Sequence, residues 1–391
     1  MIPLKTISGR LKENRPDYPL LFSAIFLVGF GILILASASA NFSQEKFNYP
    51  SLILRRQILF GVMPGAILGF LAFKAPIDYL KKIAPILLLI IIFLTALVFV
   101  PKIGLSSGGA TRWINLGFIS FQPSEFLKLA FIFYLSAWLT NRAEKGKTAS
   151  SKKIEQSSFG FSLLKINATF VVFLLVLSAI SLLLVLQPDI STLMVIFLSA
   201  ILMYFLAETP LSHTIIVVSA GIAGLISLIK IAPYRFNRLL VFLNSEIDPM
   251  GLSYQSKQAI ITIGSGGITG LGLGMSAQKY GFLPQSMTDS VFAILAEETG
   301  LIGGLVLISL FLIFAWRVFK ISKKTADKFS KLTALGIGFW IIIQAFINIG
   351  SMAGILPLTG VPLPLVSYGG SAMTSELIGI GVLLNISKQT A

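Results

Sequence analysis

Ten runs of apolar residues, each about long enough to cross a bilayer, leave this chain of 391 residues few ways to fold. They fall at about 19–40, 58–73, 83–100, 124–140, 166–186, 188–207, 212–231, 290–316, 332–353 and 366–386. In hydrocarbon every backbone N–H and C=O needs a partner within the protein, so runs of this length are expected to be helices. With 55% of residues hydrophobic and only 12% charged, a soluble domain is excluded. The expected class is all-α: one polytopic membrane domain spanning 1–391, with about ten transmembrane helices. The first run starts only after about twenty residues and continues for a full membrane thickness, which argues against a cleavable signal peptide.

Charge sets the expected orientation. If the N-terminal tail lies in the cytoplasm, roughly twice as many Lys and Arg fall on the inside as on the outside. Both termini are then cytoplasmic, with 1–18 a cytoplasmic tail, 141–165 a basic cytoplasmic loop and 232–289 a large extracytoplasmic loop between helices seven and eight. Arg55 and Arg56 fall outside, against the trend. The net charge of +15 is thereby explained by topology and attraction to anionic lipid, with no nucleic acid partner required. The 141–165 loop, containing GKTASSKK, has the composition of a flexible linker. With no cysteine and a single histidine, His213, disulfides, thiolate chemistry and a histidine metal cluster are excluded.

Against this apolar background the interval from Tyr234 to Gly300 is polar and rich in glycine. It places one carboxylate, Asp289, where the eighth helix should begin. Thr288 or Asp289 could simply cap that helix. A carboxylate at a partly desolvated helix mouth could equally serve as a base. The glycines of GSGGITGLGLG lack a nucleotide-loop context and point to tight turns or close helix approach.

Ionisable groups inside a membrane are expensive unless paired, so each is a candidate for function. Glu125 and Lys128 lie three residues apart on one helical face and can form a buried pair, either structural or part of a site. Asp189 in QPDIST sits in the first turn of a helix, as an N-terminal cap does. Glu297, Glu298 and Glu376 lie within spans. In the outer loops, Arg112 and Trp113 could bind a phosphate and an interfacial lipid, or could be an aromatic-belt anchor with a snorkelling arginine. Arg235 and Arg238 share a face of an expected amphipathic surface helix. Three prolines in LPLTGVPLPLVSYGGS, residues 356–371, forbid a regular helix, so this loop should pack over a cavity and form a wall opposite the 232–289 loop.

In their order and spacing, the SAS after the first run, RWINLG with QPSEFLKLA, QPDIST, YRFNRLLVFLN with DPMGLSYQ, GSGGITGLGLGMSAQK, LPQSMTDSVFAILAEETG and LPLTGVPLPLVSYGGSA resemble the SEDS family. These are the shape, elongation, division and sporulation proteins, and the resemblance covers nearly the whole chain. LGLGMSAQK and LPLTGVPLPLVSYGGS are more similar to the division branch, FtsW, than to the elongation branch, RodA. The chain departs from the family pattern at Gln285, Met287 and Ser290, while the aspartate of the motif is kept as Asp289.

The resemblance implies a peptidoglycan glycosyltransferase that polymerises lipid II, the undecaprenyl-pyrophosphate disaccharide-pentapeptide, at the outer face of the bacterial cytoplasmic membrane. It implies Asp289 as catalytic base. The substrate-binding set would be Arg112, Trp113, Glu125, Lys128, Arg235, Arg238, Gln255, Lys279, Thr288 and Ser367. Arg112, Arg235, Arg238, Lys279 or a divalent cation (Mg or Mn) could neutralise the pyrophosphate leaving group; no cofactor is firmly indicated. The implied partners are a class B penicillin-binding protein transpeptidase, other division proteins and membrane lipids, and the implied location is the division septum. The competing readings are a lipid II flippase, an elongation-type polymerase and a scaffold without activity. A flippase should carry its essential charges near the midplane, whereas the polar residues here are densest in the outer loops.

Overall fold

The computed structural model describes residues 15–107, 109–117, 119–150, 168–207, 209–231, 233–244, 251 and 253–389. A helix stands at each of the ten apolar runs. These are α1 (Tyr18–Phe47), the second run, α4 (Ile77–Leu97), α5 (Pro123–Ser150), α6 (Ala168–Leu186), α7 (Ile190–Leu206), α8 (Leu211–Ile231), α11 (Val291–Lys324), α12 (Lys328–Met352) and α13 (Gly370–Ser387). The second run is one rod built from α2 (Leu52–Gln57), a π-helical turn at Ile58–Val62 and α3 (Met63–Lys74). Between α8 and α11 lie two shorter helices, α9 (Pro233–Leu243) and α10 (Tyr254–Ser265). Among the described residues six helices are long and apolar enough, by length and composition alone, to cross a membrane.

The helices run on beyond the apolar segments. The chain of α5 stays helical to Ser150, so the first part of the basic 141–165 loop is helix and not flexible linker. Ala, Glu, Lys and Arg there are good helix formers and prolong a helix already nucleated in the span. Residues 1–14, 151–167 and Asp248 lie outside the described residues.

The packing is that of a bundle in an apolar solvent. Leu89, Phe93, Leu312 and Phe346 are each more than 60% exposed on its outer surface. Polar groups such as Glu125, Lys128, Gln344 and Glu376 are instead buried within it. The central element is α12, which packs on α5, α7, α11 and α13. Glycine lets α3 and α13 approach closely: a Cβ at Gly381 would stand 2.0 Å from the Gly69 carbonyl oxygen.

One end of the bundle gathers the beginning of α1, the end of α3 and the ends of α11 and α13. There Asp17 accepts from Leu20 N at 3.0 Å to cap α1 and forms a two-point pair with Arg317. Asn385 donates to the Ala72 and Ala75 carbonyls at 3.0 and 2.6 Å. The opposite end carries the start of α11, α9, α10, the 356–369 loop and a small antiparallel sheet. The sheet comprises β1 (Gly104–Ser107), β2 (Ala110–Asn115) and β3 (Ser120–Phe121), in the order β1-β2-β3, with Gly104 opposite Ile114 and Ile114 opposite Phe121. It is an addition to the helical class, formed by segments too short for a clear period-two pattern.

Candidate active site

Asp289 ends the turn that leads into α11, and the surrounding contacts fix its backbone. Ser290, the residue at the helix cap position, makes no side-chain cap bond. Its hydroxyl instead donates to the Pro284 carbonyl at 2.9 Å and accepts from Gln255 Nε2 at 3.2 Å. Asn348 on α12 donates through Nδ2 to both the Asp289 and Val361 carbonyls, each at 2.7 Å. Ser367 Oγ donates to the Thr288 carbonyl at 2.6 Å, and Tyr368 N donates to the Met287 carbonyl at 2.9 Å. The main chain around Asp289 is therefore tied to α12 and to the loop after it, and the Ser290 side chain to α10.

The carboxylate itself is left unoccupied by such ties. Among the described residues no donor hydrogen-bonds to it, so it does not cap α11. It is half-buried and faces the proline-rich loop, where a Cβ on Gly360 would lie 3.4 Å from Asp289 Oδ2. Burial raises its pKa from 3.8 to about 6, opposed by the positive charges of Arg238 and Arg112. A carboxyl group that ionises near neutrality, free of internal donors, has the properties of a proton acceptor.

The opposite wall is the 356–369 loop, and its irregular backbone is satisfied almost carbonyl by carbonyl, as burial at this depth demands. Ser351 serves Pro357 at 2.9 Å, Arg238 serves Leu358 at 3.3 Å and Ser191 serves Thr359. Asn348 serves Val361, and Gln344 serves Pro362 at 3.0 Å. Leu365 N donates to the buried Glu376 carboxylate at 2.7 Å, and Gly369 N to Gln57 Oε1 at 3.0 Å. Trp340, Gln344, Asn348 and Ser351 recur at four, four and three residues, so one polar stripe of α12 holds this wall. Sequence reading missed Gln344 and Asn348. The signal was there, as two amides one turn apart in an apolar run.

The structure divides the expected substrate-binding residues into groups. Arg238 on α9 is exposed beside the mouth, and the side chain of Arg235 lies outside the described residues. Arg112 on β2 donates to the Gln187 carbonyl at 3.4 Å and to that of Pro188, linking the sheet to the start of α7. Asp189 caps α7 by accepting from Thr192 N at 3.3 Å, and accepts from Ser124 at 2.9 Å. Gln255, Thr288 and Ser367 brace the Asp289 turn, with Thr288 Oγ1 donating to Gln285 Oε1 at 2.9 Å. Trp113 stays in the sheet opposite Leu105.

Glu125 and Lys128 form the expected buried pair, at 2.8 Å. Lys128 also donates to Gln344 Oε1 at 2.9 Å, which reaches the wall through Pro362.

Lys279 does not join Asp289. It is buried, pairs with Glu298 at 3.2 Å and donates to Ser37 Oγ and the Gly274 carbonyl at 3.0 and 2.5 Å. Glu298 lies nine residues past Asp289, roughly 13 Å along the helix. Lys279 neutralises a glutamate that would otherwise be buried alone, which takes it out of the pyrophosphate-binding set.

The glycine-rich motif serves the same junction. Gly300, at φ 68°, interrupts α11, and Leu271 N and Gly272 N donate to the freed Glu297 and Glu298 carbonyls, both at 3.0 Å. A Cβ at Gly270 would come within 2.2 Å of the Glu298 carbonyl oxygen, so the contact requires glycine.

Among the described residues no three His, Asp or Glu side chains converge as a metal site would require. Of the side chains described at this mouth, a divalent cation would have Asp289 as its one carboxylate ligand, with substrate phosphate and water completing its shell.

Comparison with known proteins places the whole chain in a family. Residues 18–391 match the FtsW/RodA/SpoVE family, described as cell cycle proteins. The chain belongs to that family. It is 36% identical over 379 residues to stage V sporulation protein E of Bacillus subtilis, covering 96% of this chain and 98% of that protein. It is 35% identical to a probable peptidoglycan glycosyltransferase FtsW of Nitrosococcus halophilus, with 96% and 93% covered. Among solved structures, Thermus thermophilus rod shape determining protein RodA superposes with a TM-score of 0.66 at 24% identity, covering 96% of this chain and 97% of that one. A chain from work described as the structural coordination of polymerization and crosslinking by a peptidoglycan synthase complex gives 0.73 at 24% identity, with 95% and 97% covered. The family and the fold together make this a multi-pass membrane protein.

Proposed function

We propose that this chain is a division-type peptidoglycan glycosyltransferase that polymerises lipid II, with Asp289 as general base. The observation that carries this reading is the Asp289 carboxylate, half-buried, without a hydrogen bond from any of the described residues and beside two guanidinium groups. The curated relatives named as probable peptidoglycan glycosyltransferases support the reaction class.

In the proposed step Asp289 takes the proton of the acceptor sugar 4-hydroxyl. The oxygen bonds to the anomeric carbon of the donor, and the bond from that carbon to the pyrophosphate oxygen breaks. Arg238 and Arg112 offset the charge that builds on the departing pyrophosphate. Arg112 keeps guanidinium donors beyond those given to Gln187 and Pro188.

The implied partner is a class B penicillin-binding transpeptidase, in keeping with the structural neighbour from a polymerization and crosslinking complex. Other division proteins and membrane lipids complete the proposed setting, with Asp289 facing the outside at the septum and both termini in the cytoplasm. Two of the buried bundle cations, Lys128 and Lys279, are each matched by a glutamate, which favours polymerisation over a charged flipping path.

The test is purified protein, with and without the transpeptidase, given labelled lipid II and analysed for glycan polymer on a gel. Polymer that depends on Asp289 supports the proposal. Lipid II left unextended in both mixtures, with folded protein, overturns it.

A further inference from the structure

At the end of the bundle away from Asp289, a cavity of about 330 Å³ opens between the start of α1, the last turns of α11 and the end of α13. Its polar lining includes Arg15, Asp17, Arg317, Lys320, Lys324 and Ser387. Residues 317, 320 and 324 are spaced by three and four, so one face of α11 presents all three cations.

The single acid in this lining is already engaged. Asp17 caps α1 and pairs with Arg317 through both carboxylate oxygens, which leaves it no role in neutralising the two lysines. Among the described residues no carboxylate pairs with Lys320 or Lys324, and both are exposed. Lys320 and Arg317 lie over the ring of Trp316, each at 5.2 Å, and Trp316 is 58% exposed. From Leu301 to Trp316 the helix carries no charge, and from Arg317 it is basic, so the cavity sits at the depth of lipid phosphates, with an interfacial Trp beside it.

Basic residues at a helix C-terminus have a plainer explanation in topology and the helix dipole. Lys323 and Lys331, exposed at the same end, fit that explanation and do not line the cavity. Lys320 and Lys324 differ in facing a concave wall where no carboxylate among the described residues is left to match them.

We propose that this cavity binds the phosphate headgroup of an anionic phospholipid, with Lys320 and Lys324 as its ligands and Arg317 held in place by Asp17. The proposal depends on the membrane fold and not on the glycosyltransferase reading.

It is tested by delipidating the full-length chain in a neutral detergent and titrating phosphatidylglycerol or phosphatidylcholine, with bound lipid counted by native mass spectrometry. Phosphatidylglycerol should bind about tenfold tighter than phosphatidylcholine, and the double change Lys320→Gln with Lys324→Gln should remove about tenfold of that affinity. Lys323→Gln with Lys331→Gln makes the same change in charge outside the cavity and should leave binding within about twofold. Both pairs are exposed, so neither should unfold the protein. Equal binding of the two lipids, or equal losses from the two double variants, overturns the proposal. Displacement of the lipid by inorganic phosphate at matched concentration would reassign the cavity to a soluble anion and overturn the lipid assignment.

Discussion

Asparagine at position 289 keeps the shape of the side chain and removes its capacity to take a proton. Because Asp289 makes no cap bond with the described residues, Asp289→Asn should not lower the melting temperature, and at neutral pH should raise it by removing a buried charge, while transpeptidase binding stays unchanged and polymerisation falls by roughly 10² or more. Near-normal polymer at equal expression and excess lipid II would place the base elsewhere. Its raised pKa gives a second prediction. The base must be ionised, so kcat/KM should fall as pH drops through about 6. Arg238 lowers this pKa, so Arg238→Ala should move the acid limb to higher pH, a shift that a merely structural arginine would not produce. The sign for stability is the opposite: the neutral form is favoured by burial, so this contribution is complete below 3.8 and lost as pH rises through about 6. The position of Asp289 was legible in the sequence, since a carboxylate at the mouth of an apolar run is rare. The role of Lys279 was not, because its partners Ser37 and Glu298 stand 242 and 19 residues away.

At the scale of elements, the sequence showed where helices lie but not how one is broken. An apolar run from 290 to 316 reads as continuous, whereas α11 breaks at Gly300 because the 266–272 segment lends its own backbone groups to the gap. Gly270→Ala should therefore be more damaging than a surface change: it forces a side chain onto φ 84° and against the Glu298 carbonyl, at about 1–3 kcal/mol for the backbone alone. A lower melting temperature in detergent would show it, and an unchanged one would mean the junction yields. The Glu125 and Lys128 pair was legible from spacing alone, whereas its connection through Gln344 to Pro362 required the fold. Lys128→Met alone leaves Glu125 buried without its cation and should destabilise by about 3–5 kcal/mol, more than Glu125→Leu with Lys128→Met together. Equal losses from the single and double variants, by thermal denaturation, would show that the pair is not coupled.

For the whole molecule, the structure separates two ends that charge counting alone only ranked. One holds Asp289, the sheet and the 356–369 loop; the other holds the Asp17–Arg317 pair and the basic last turns of α11. The proposed reaction needs the first end outside, and the distribution of Lys and Arg predicts the second inside. Both requirements can be checked together because the chain contains no cysteine, so a single introduced thiol is the only one to label. Lys102 precedes β1 at the first end, and Lys331 lies in the first turn of α12 at the second; both are exposed. In intact cells a membrane-impermeant maleimide should label Lys102→Cys and spare Lys331→Cys, and permeabilisation should make both react. The reverse pattern would put Asp289 in the cytoplasm, on the wrong side of the membrane for polymerising strands into the wall, and the proposed function would fall with the orientation.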